Sequence, residues 1–249
     1  MTDLPGCFDL DYYFLGFWAA DGTHAKGRLR FLINQRDRII LDLFHSHYGG
    51  TRSEYTYNNG ISYYSVSVSS LSEVFRRANV TLDKCTLQTG QFRFADRACF
   101  LSFLLGFIDG DGNVSSPSFH RSTRISVIAQ SAQLLETLSE HVSTYLSIEG
   151  QITQVKQKYS QLAYSRINVY HLACCLSPYL LYGFRKHELI MDIVDNYDFN
   201  FAQVFHSKLG QEAYDAMVSL RRQGRSYSEI ARQYGVSKQS AMSVIKQRL

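Results

Sequence analysis

Two short runs of the chain share one pattern: an apolar segment with a central glycine, followed by a small residue, an aspartate and a glycine. The first run reads FLGFWAADG over residues 14–22, and the second reads LLGFIDGDG over residues 104–112. Their final aspartates, Asp21 and Asp111, are 90 positions apart. A carboxylate at the end of an apolar helix is costly to desolvate unless a cation meets it. The repeat therefore predicts a duplicated half that builds one site from two carboxylates.

Small residues inside the two apolar runs indicate what brings the carboxylates together. Gly and Ala positions let two helices pack closely, and glycine otherwise costs helix propensity; the residues concerned are Gly16, Ala19, Ala20, Gly106 and Gly110. Two adjacent carboxylates repel unless a divalent cation lies between or beside them. Mg²⁺ suits such a site because it binds one or two carboxylates together with phosphate oxygens. One ion would activate a water and another would stabilise the leaving oxygen. A lone Asp-Gly would be an ordinary helix end, but its repetition in the same context favours the metal site.

Each half is predicted to run helix, hairpin, helix, hairpin, helix. The motif helices should begin near Asp9 or Asp11 and near Asp96, and end at Gly22 and Gly112, because acidic residues cap helix starts and glycine ends helices. Further helices are predicted over 38–47 and 134–145, and Asn59-Gly60 predicts a tight hairpin turn.

Basic and polar residues alternate with apolar ones after each motif, which predicts half-buried strands with one cationic face. We expect this face to contact DNA, although a merely solvated sheet face is the alternative. The residues are Lys26, Arg28, Arg30 and Asn34 in the first half, and Arg121 and Arg124 in the second.

Composition bounds the class of protein. The 249 residues are 45% hydrophobic and carry a net charge of +4, which allows a core and permits nucleic-acid binding without requiring it. Five cysteines without paired spacing predict reduced thiols. We expect no secretion signal and no membrane partner, and so a cytoplasmic or organellar protein.

The last fifty residues have a different pattern, of three short helices. A helix over 212–223 ends at Gly224, Ser226 and Glu229 form a capping box, and Ser237 precedes a basic helix over 238–248. This spacing predicts a helix-turn-helix, with a plain helical hairpin as the alternative. The residues expected to contact DNA are Lys238, Gln239, Ser240 and Lys246, with Gln239 and Ser240 reading bases.

The paired runs resemble the LAGLIDADG signature of homing endonucleases, and the likeness extends over about residues 8–200. It implies an α/β (α+β) fold: a pseudo-symmetric duplicated core with two antiparallel DNA-binding sheets, to which the small all-α helix-turn-helix is appended. The repeats would span 1–95 and 96–200, and the appended module 207–249. The resemblance also implies a monomer that makes a double-strand break, leaving short 3′ overhangs, in a long asymmetric DNA target. Such an enzyme would be intron-encoded or free-standing and would use two or three Mg²⁺ ions, with Mn²⁺ expected to substitute.

The resemblance assigns site residues by position. The metal-ligating acids fall on Asp21 and Asp111, and the carbonyl before each falls on Ala20 and Gly110. The family's lysines near the scissile phosphates fall on Lys84, within Leu82-Asp83-Lys84-Cys85-Thr86, and on Lys186 after Pro178. For both lysines a solvated surface charge is the alternative. The first copy departs from the family pattern at Ala19, where the second copy has Asp109. That position is not the metal-ligating one in the family, but the difference predicts unequal half-sites.

Two other functions fit the same resemblance. Some bacterial transcription regulators join a decayed LAGLIDADG domain to a C-terminal helix-turn-helix, but the retained acid pair favours cleavage. An RNA maturase that binds its own intron RNA is the other. An intein origin is disfavoured because no splicing segments surround the motifs.

Overall fold

A computed structural model describes residues 8–25, 28–56, 62–68, 78–79, 93–118, 122–156, 158–197, 211–234 and 238–246. The chain divides into two compact units, Met1–Tyr197 and Asp198–Leu249.

The first half of the larger unit alternates helices with antiparallel strands. Its elements are α1 (Leu10–Asp21), β1 (Thr23–Ala25), β2 (Arg28–Asn34), a 3₁₀ turn (Gln35–Asp37), α2 (Arg38–Tyr48), β3 (Thr51–Thr56) and β4 (Ser62–Val68). The strands form one sheet of order β1-β2-β4-β3.

The second half repeats this order. Its elements are α3 (Arg97–Asp111), β5 (Gly112–Ser115), β6 (Arg124–Ala129), α4 (Ala132–Leu146), β7 (Gln151–Lys156), β8 (Tyr159–Ser165), α5 (Ile167–Leu176), a 3₁₀ turn (Ser177–Tyr179) and α6 (Arg185–Asn196). The sheet order is β5-β6-β8-β7, which corresponds strand for strand to the first sheet. The predicted fold class, a duplicated mixed α/β core with two antiparallel sheets, is confirmed.

The motif helices begin and end where the sequence predicts. The Asp9 carboxylate accepts from the backbone N–H of Tyr12, and the Asp96 carboxylate accepts from that of Cys99. Gly22 and Gly112 follow the last helical residues. Both helices are apolar nearly all round and lie in the core, as an element without a polar face must.

Small differences from the predicted boundaries have local causes. Helix α4 begins at Ala132 rather than Leu134 because the Ser131 hydroxyl caps it by accepting from the Leu134 N–H. Helix α2 continues one residue past His47, and a glycine with φ of +70° follows it. The Asn59-Gly60 turn lies outside the described residues.

Strand β2 shows the predicted alternation. Leu29, Phe31 and Ile33 are buried, whereas Arg30 is exposed. Since the side-chain period of a strand is two, one face of the sheet packs on the core and the other faces solvent.

The smaller unit contains three helices, α7 (Gln211–Arg222), α8 (Tyr227–Gln233) and α9 (Lys238–Lys246). Met217, Val218, Ile230 and Ile245 form its own core. The predicted capping box is present, since Ser226 and Glu229 each accept from the other's backbone N–H. Among the described residues, no helix is long and apolar enough to cross a membrane.

Candidate metal and DNA-binding site

Helices α1 and α3 cross at two glycines that allow backbone-to-backbone contact. A Cβ placed on Gly16 would lie 1.9 Å from the carbonyl oxygen of Phe103, and one on Gly106 would lie 1.9 Å from that of Tyr13. Neither position can hold a side chain without separating the helices. The predicted packing role of these glycines is confirmed.

The same packing brings the two motif ends side by side. A Cβ placed on Gly110 would lie 2.4 Å from the Ala20 Cβ and 3.5 Å from the Asp21 backbone nitrogen. Asp21 and Asp111 are the last residues of their helices, and both are exposed. The two carboxylate-bearing helix ends therefore lie next to each other, and both carboxylates are exposed to solvent.

A cleft of about 510 Å³ lies at this end of the helix pair. Both halves line it. The lining residues include Asp21, Asn34 and Asp37 from the first half and Gly110, Arg185 and Lys186 from the second. The cleft therefore contains one acid of the predicted pair, one predicted carbonyl ligand and one predicted lysine.

Lys186 closes the C-terminal end of α3. Its ammonium donates to the carbonyl oxygens of Ile108, Asp109 and Gly110, at 2.8, 2.7 and 3.0 Å. These carbonyls belong to the last turn of a helix, where the backbone carries partial negative charge. The Ile108 carbonyl also accepts from the Gly112 N–H. Burial lowers the pKa of Lys186 from its usual value, while the nearby carboxylate of Asp109 opposes that shift.

Asp109 is a buried carboxylate with two hydrogen-bond partners. Its Oδ2 accepts from the Tyr13 hydroxyl at 2.7 Å and lies 2.7 Å from His187 Nε2. The Leu181 N–H donates to His187 Nδ1, so Nδ1 is the acceptor and Nε2 carries the proton that faces Asp109. Burial, and then the Asp109 charge, raise the pKa of Tyr13 well above its ordinary range, so Tyr13 stays a donor.

Tyr13 and His187 were not predicted as site residues. The difference between Ala19 in the first motif and Asp109 in the second indicates in the sequence that the two halves are unequal, but the two partners lie 96 and 78 positions from Asp109. Nothing local in the sequence pairs them.

An ion pair crosses the cleft between the two halves. Arg185 Nε lies 3.1 Å from Asp37 Oδ1, and the neighbouring Arg36 contacts the other oxygen of the same carboxylate at 3.3 Å. Asp37 belongs to the 3₁₀ turn and Arg185 begins α6, so the contact joins first-half and second-half elements.

One face of the second sheet carries a chain of polar side chains, in which Arg124 and Gln161 are half-buried and Ser126 is buried. Arg124 donates to Gln161 at 2.8 Å, and Gln161 donates to Ser126 at 3.0 Å. In the first sheet, Arg30 is exposed on the corresponding strand. Both sheets thus present hydrogen-bonding groups of the kind that contact base edges and phosphates.

Solved structures share this architecture. Full-length DUF199/WhiA from Thermatoga maritima superposes with a TM-score of 0.52 at 17% identity, over 95% of this chain and 88% of that one. The meganuclease I-SmaMI bound to uncleaveable DNA gives 0.53 at 12% identity, over 75% and 89%. The LAGLIDADG meganuclease I-AabMI bound to uncleaved DNA gives 0.52 at 11% identity, over 81% and 93%. No family profile and no curated protein sequence matches the chain.

The chain has the LAGLIDADG fold. The superposed proteins include both meganucleases and WhiA, so the fold alone is common to them and to this chain.

The acids of this LAGLIDADG core can hold a hard divalent cation only together with other oxygens. No cluster of three or more His, Cys, Asp or Glu residues that could bind a metal occurs in the part of the chain that the structure describes. Asp21, Asp111 and the carbonyl of Gly110 are oxygen donors of the type that Mg²⁺ prefers, and DNA phosphates and waters would complete the shell. The donor set fits, with one feature that bears on it: the Gly110 carbonyl already accepts from Lys186.

The remaining predicted residues are distributed as follows. Lys26, Lys84 and Arg121 lie outside the described residues, and Arg28, Gln239 and Ser240 lie in β2 and α9 with side chains that are not described. The Asn34 side chain caps the 3₁₀ turn by accepting from the Arg36 N–H at 3.1 Å. Lys238 and Lys246 are exposed on α9, and Ala20 packs against Gly110.

Proposed function

We propose that the protein is a site-specific DNA endonuclease that makes a Mg²⁺-dependent double-strand break in a long target. The observation that carries the proposal is the contact of Gly110 with Ala20 and the Asp21 backbone, which sets two acid-bearing helix ends beside each other. The polar faces of the two sheets support duplex binding, and one chain supplies both halves, so we propose that it acts as a monomer. The DNA-bound meganucleases of the same fold add support.

The residues of the chain have separate roles in this proposal. Asp21 and Asp111 hold the ions, and Arg30 and Arg124 contact the duplex from the sheets. Bound divalent ions would supply an activated water and a stabilised leaving oxygen. The Asp37–Arg185 ion pair links the two walls of the cleft.

The function is tested by selecting a bound site from a randomised duplex library in Ca²⁺ and then incubating that site in Mg²⁺. We expect double-strand cleavage in Mg²⁺ and none in EDTA. Asp21→Asn and Asp111→Asn should each abolish double-strand cleavage and leave affinity within a few-fold, because these carboxylates bind metal rather than bases. Each variant should nick no more than one of the two DNA strands.

Asp195→Asn is the matched control, since Asp195 is an exposed acid near the end of α6. It should cut as the native protein does. Full double-strand cutting by Asp21→Asn or Asp111→Asn would overturn the assignment of the two acids.

A second candidate function is DNA binding without cleavage, as in a transcription regulator. The observation that favours it is the Lys186 ammonium on the Gly110 carbonyl, because a helix end neutralised by a lysine needs no metal. The three-helix unit that follows the core is compatible with both functions. Tight site-specific binding with no cut or nick in Mg²⁺ or Mn²⁺ would establish this second function over the first.

A further inference from the structure

The Lys186 ammonium is surrounded by carbonyl oxygens, as a bound metal cation would be. An ammonium has three N–H donors, and each finds a carbonyl oxygen within 3.0 Å at the end of α3. All three carbonyls come from consecutive residues of one chain segment. The donors of Lys186 are therefore all used within the protein, and none is left for a phosphate.

Buried charge keeps the ammonium in this position. The Asp109 side chain is only 2% exposed, and its oxygen has a tyrosine and a neutral histidine as partners, neither of which cancels its charge. Lys186, one residue before that histidine, supplies the nearby positive charge. Moving the ammonium out would remove this positive charge from the neighbourhood of the buried Asp109 carboxylate, which is unfavourable.

The position of the ammonium conflicts with a second cation at Gly110. A Mg²⁺ ion binds oxygen at about 2.1 Å, and the ammonium lies 3.0 Å from the same oxygen. An ion on this carbonyl would therefore lie within about 5 Å of the lysine charge, where like charges repel strongly away from bulk water. The lysine ammonium therefore disfavours binding of a Mg²⁺ ion to the Gly110 carbonyl.

We propose that Lys186 is a built-in cation of the second motif end, which occupies the carbonyls of Ile108, Asp109 and Gly110 and weakens divalent-metal binding there. The position equivalent to Asp109 in the first motif is Ala19, which cannot supply the buried negative charge that retains a lysine. The two motif ends therefore differ in metal affinity. This inference concerns metal binding by the protein alone and holds whether or not the protein cuts DNA.

The test measures Mn²⁺ binding to the full chain without DNA, from the electron paramagnetic resonance signal of free Mn²⁺. Lys186→Met should bind Mn²⁺ at least tenfold more tightly than the native protein, and Asp21→Asn or Asp111→Asn in the same background should remove the gain. Lys186→Arg keeps the charge and should bind as weakly as the native protein. Lys158→Met, at the exposed β7–β8 turn, removes an equal charge elsewhere and should change nothing.

An unchanged affinity in a folded Lys186→Met variant would overturn the proposal, as would a gain that survives both acid substitutions. A second measurement needs no variant that could misfold. In the native protein labelled with ¹⁵N-lysine, the Lys186 ammonium signal should stay unchanged through a titration to 10-fold excess Mg²⁺. Movement of that signal at stoichiometric Mg²⁺ would show that the metal displaces the lysine and would contradict the inference.

Discussion

The hydroxyl of Tyr13 lies 2.7 Å from Oδ2 of Asp109, and this hydrogen bond joins the two motif helices inside the core. It is paired with a second bond from His187 to the same oxygen. The buried carboxylate thus ties α1, α3 and α6 together at the end of the helix pair where the candidate site lies.

Replacing Tyr13 by Phe should lower the free energy of unfolding by about 1–3 kcal/mol, because it leaves one side of a buried carboxylate unpaired. Urea unfolding followed by circular dichroism measures this. Tyr182→Phe removes the same hydroxyl from a side chain that is 90% exposed, and it should change stability by less than about 0.5 kcal/mol. Equal stability of the two variants would mean that the Tyr13–Asp109 bond contributes nothing.

Gly106→Ala should destabilise the larger unit by about 3 kcal/mol or more, because its new Cβ would lie 1.9 Å from a carbonyl oxygen of the facing helix. Thermal unfolding measures the effect. Thr144→Ala, on the exposed face of α4, is the matched helix substitution and should have little effect. A Gly106→Ala protein with native stability would show that the helices do not pack through backbone contact.

Protonation of His141 should make the larger unit less stable in mild acid. The ring lies among Phe94, Phe100 and Tyr145, and this partial burial lowers its pKa from the usual 6.5, which Glu140 partly opposes. The unfolded chain therefore binds the proton more tightly, so stability is complete above pH 6.5 and falls as the pH drops below it.

His141→Gln should reduce this slope below pH 6.5 by less than about 1.4 kcal/mol per pH unit, because the half-exposed ring is partly screened. Urea unfolding at pH values from 7.5 to 5 gives the slope. If the stability of His141→Gln follows the native pH curve, protonation of His141 is not the cause of the loss of stability in acid.

Two sheet arginines, the exposed Arg30 and the half-buried Arg124, should contribute phosphate contacts. If Arg30 and Arg124 neutralise phosphates, each Ala variant should lower the slope of log affinity against log salt by about 0.9. Fluorescence anisotropy with the selected duplex at four salt concentrations measures it. Arg97→Ala is the control, because Arg97 begins α3 about 20 Å along the helix from Asp111, and it should keep the native slope. Unchanged slopes in all three variants would favour a sheet face that is merely solvated.

Removal of the smaller unit should weaken DNA binding without preventing cleavage. Each unit has its own core, so a chain that ends at Tyr197 should still fold. Loss of a tethered second contact should lower affinity by about 100-fold and shorten the nuclease-protection footprint on one side. Unchanged affinity and footprint would contradict a DNA-binding role for the smaller unit. If the truncated protein folds but cuts DNA at no concentration, the smaller unit is needed for catalysis.

The sequence was sufficient for the duplicated core because each of its signals is local. Two apolar runs with central glycines, acidic residues before them and glycines after them specify helices and their ends. Period-two alternation specifies which face of β2 is buried. These patterns depend on neighbours within a few positions, and the observed helices start and end within one or two residues of the prediction.

Only the tertiary structure decided how the second motif end is charged. A lysine at position 186 could have been a solvated surface charge, a phosphate contact or a helix cap, because its sequence neighbours do not determine its direction. The folded chain brings it to carbonyls 76 to 78 positions away and sets a buried acid near it, with partners from α1 and α6. The physical reason is desolvation. Once helix packing buries Asp109, a positive charge close to its carboxylate becomes favourable. Burial depends on the whole fold, so the local sequence does not determine it.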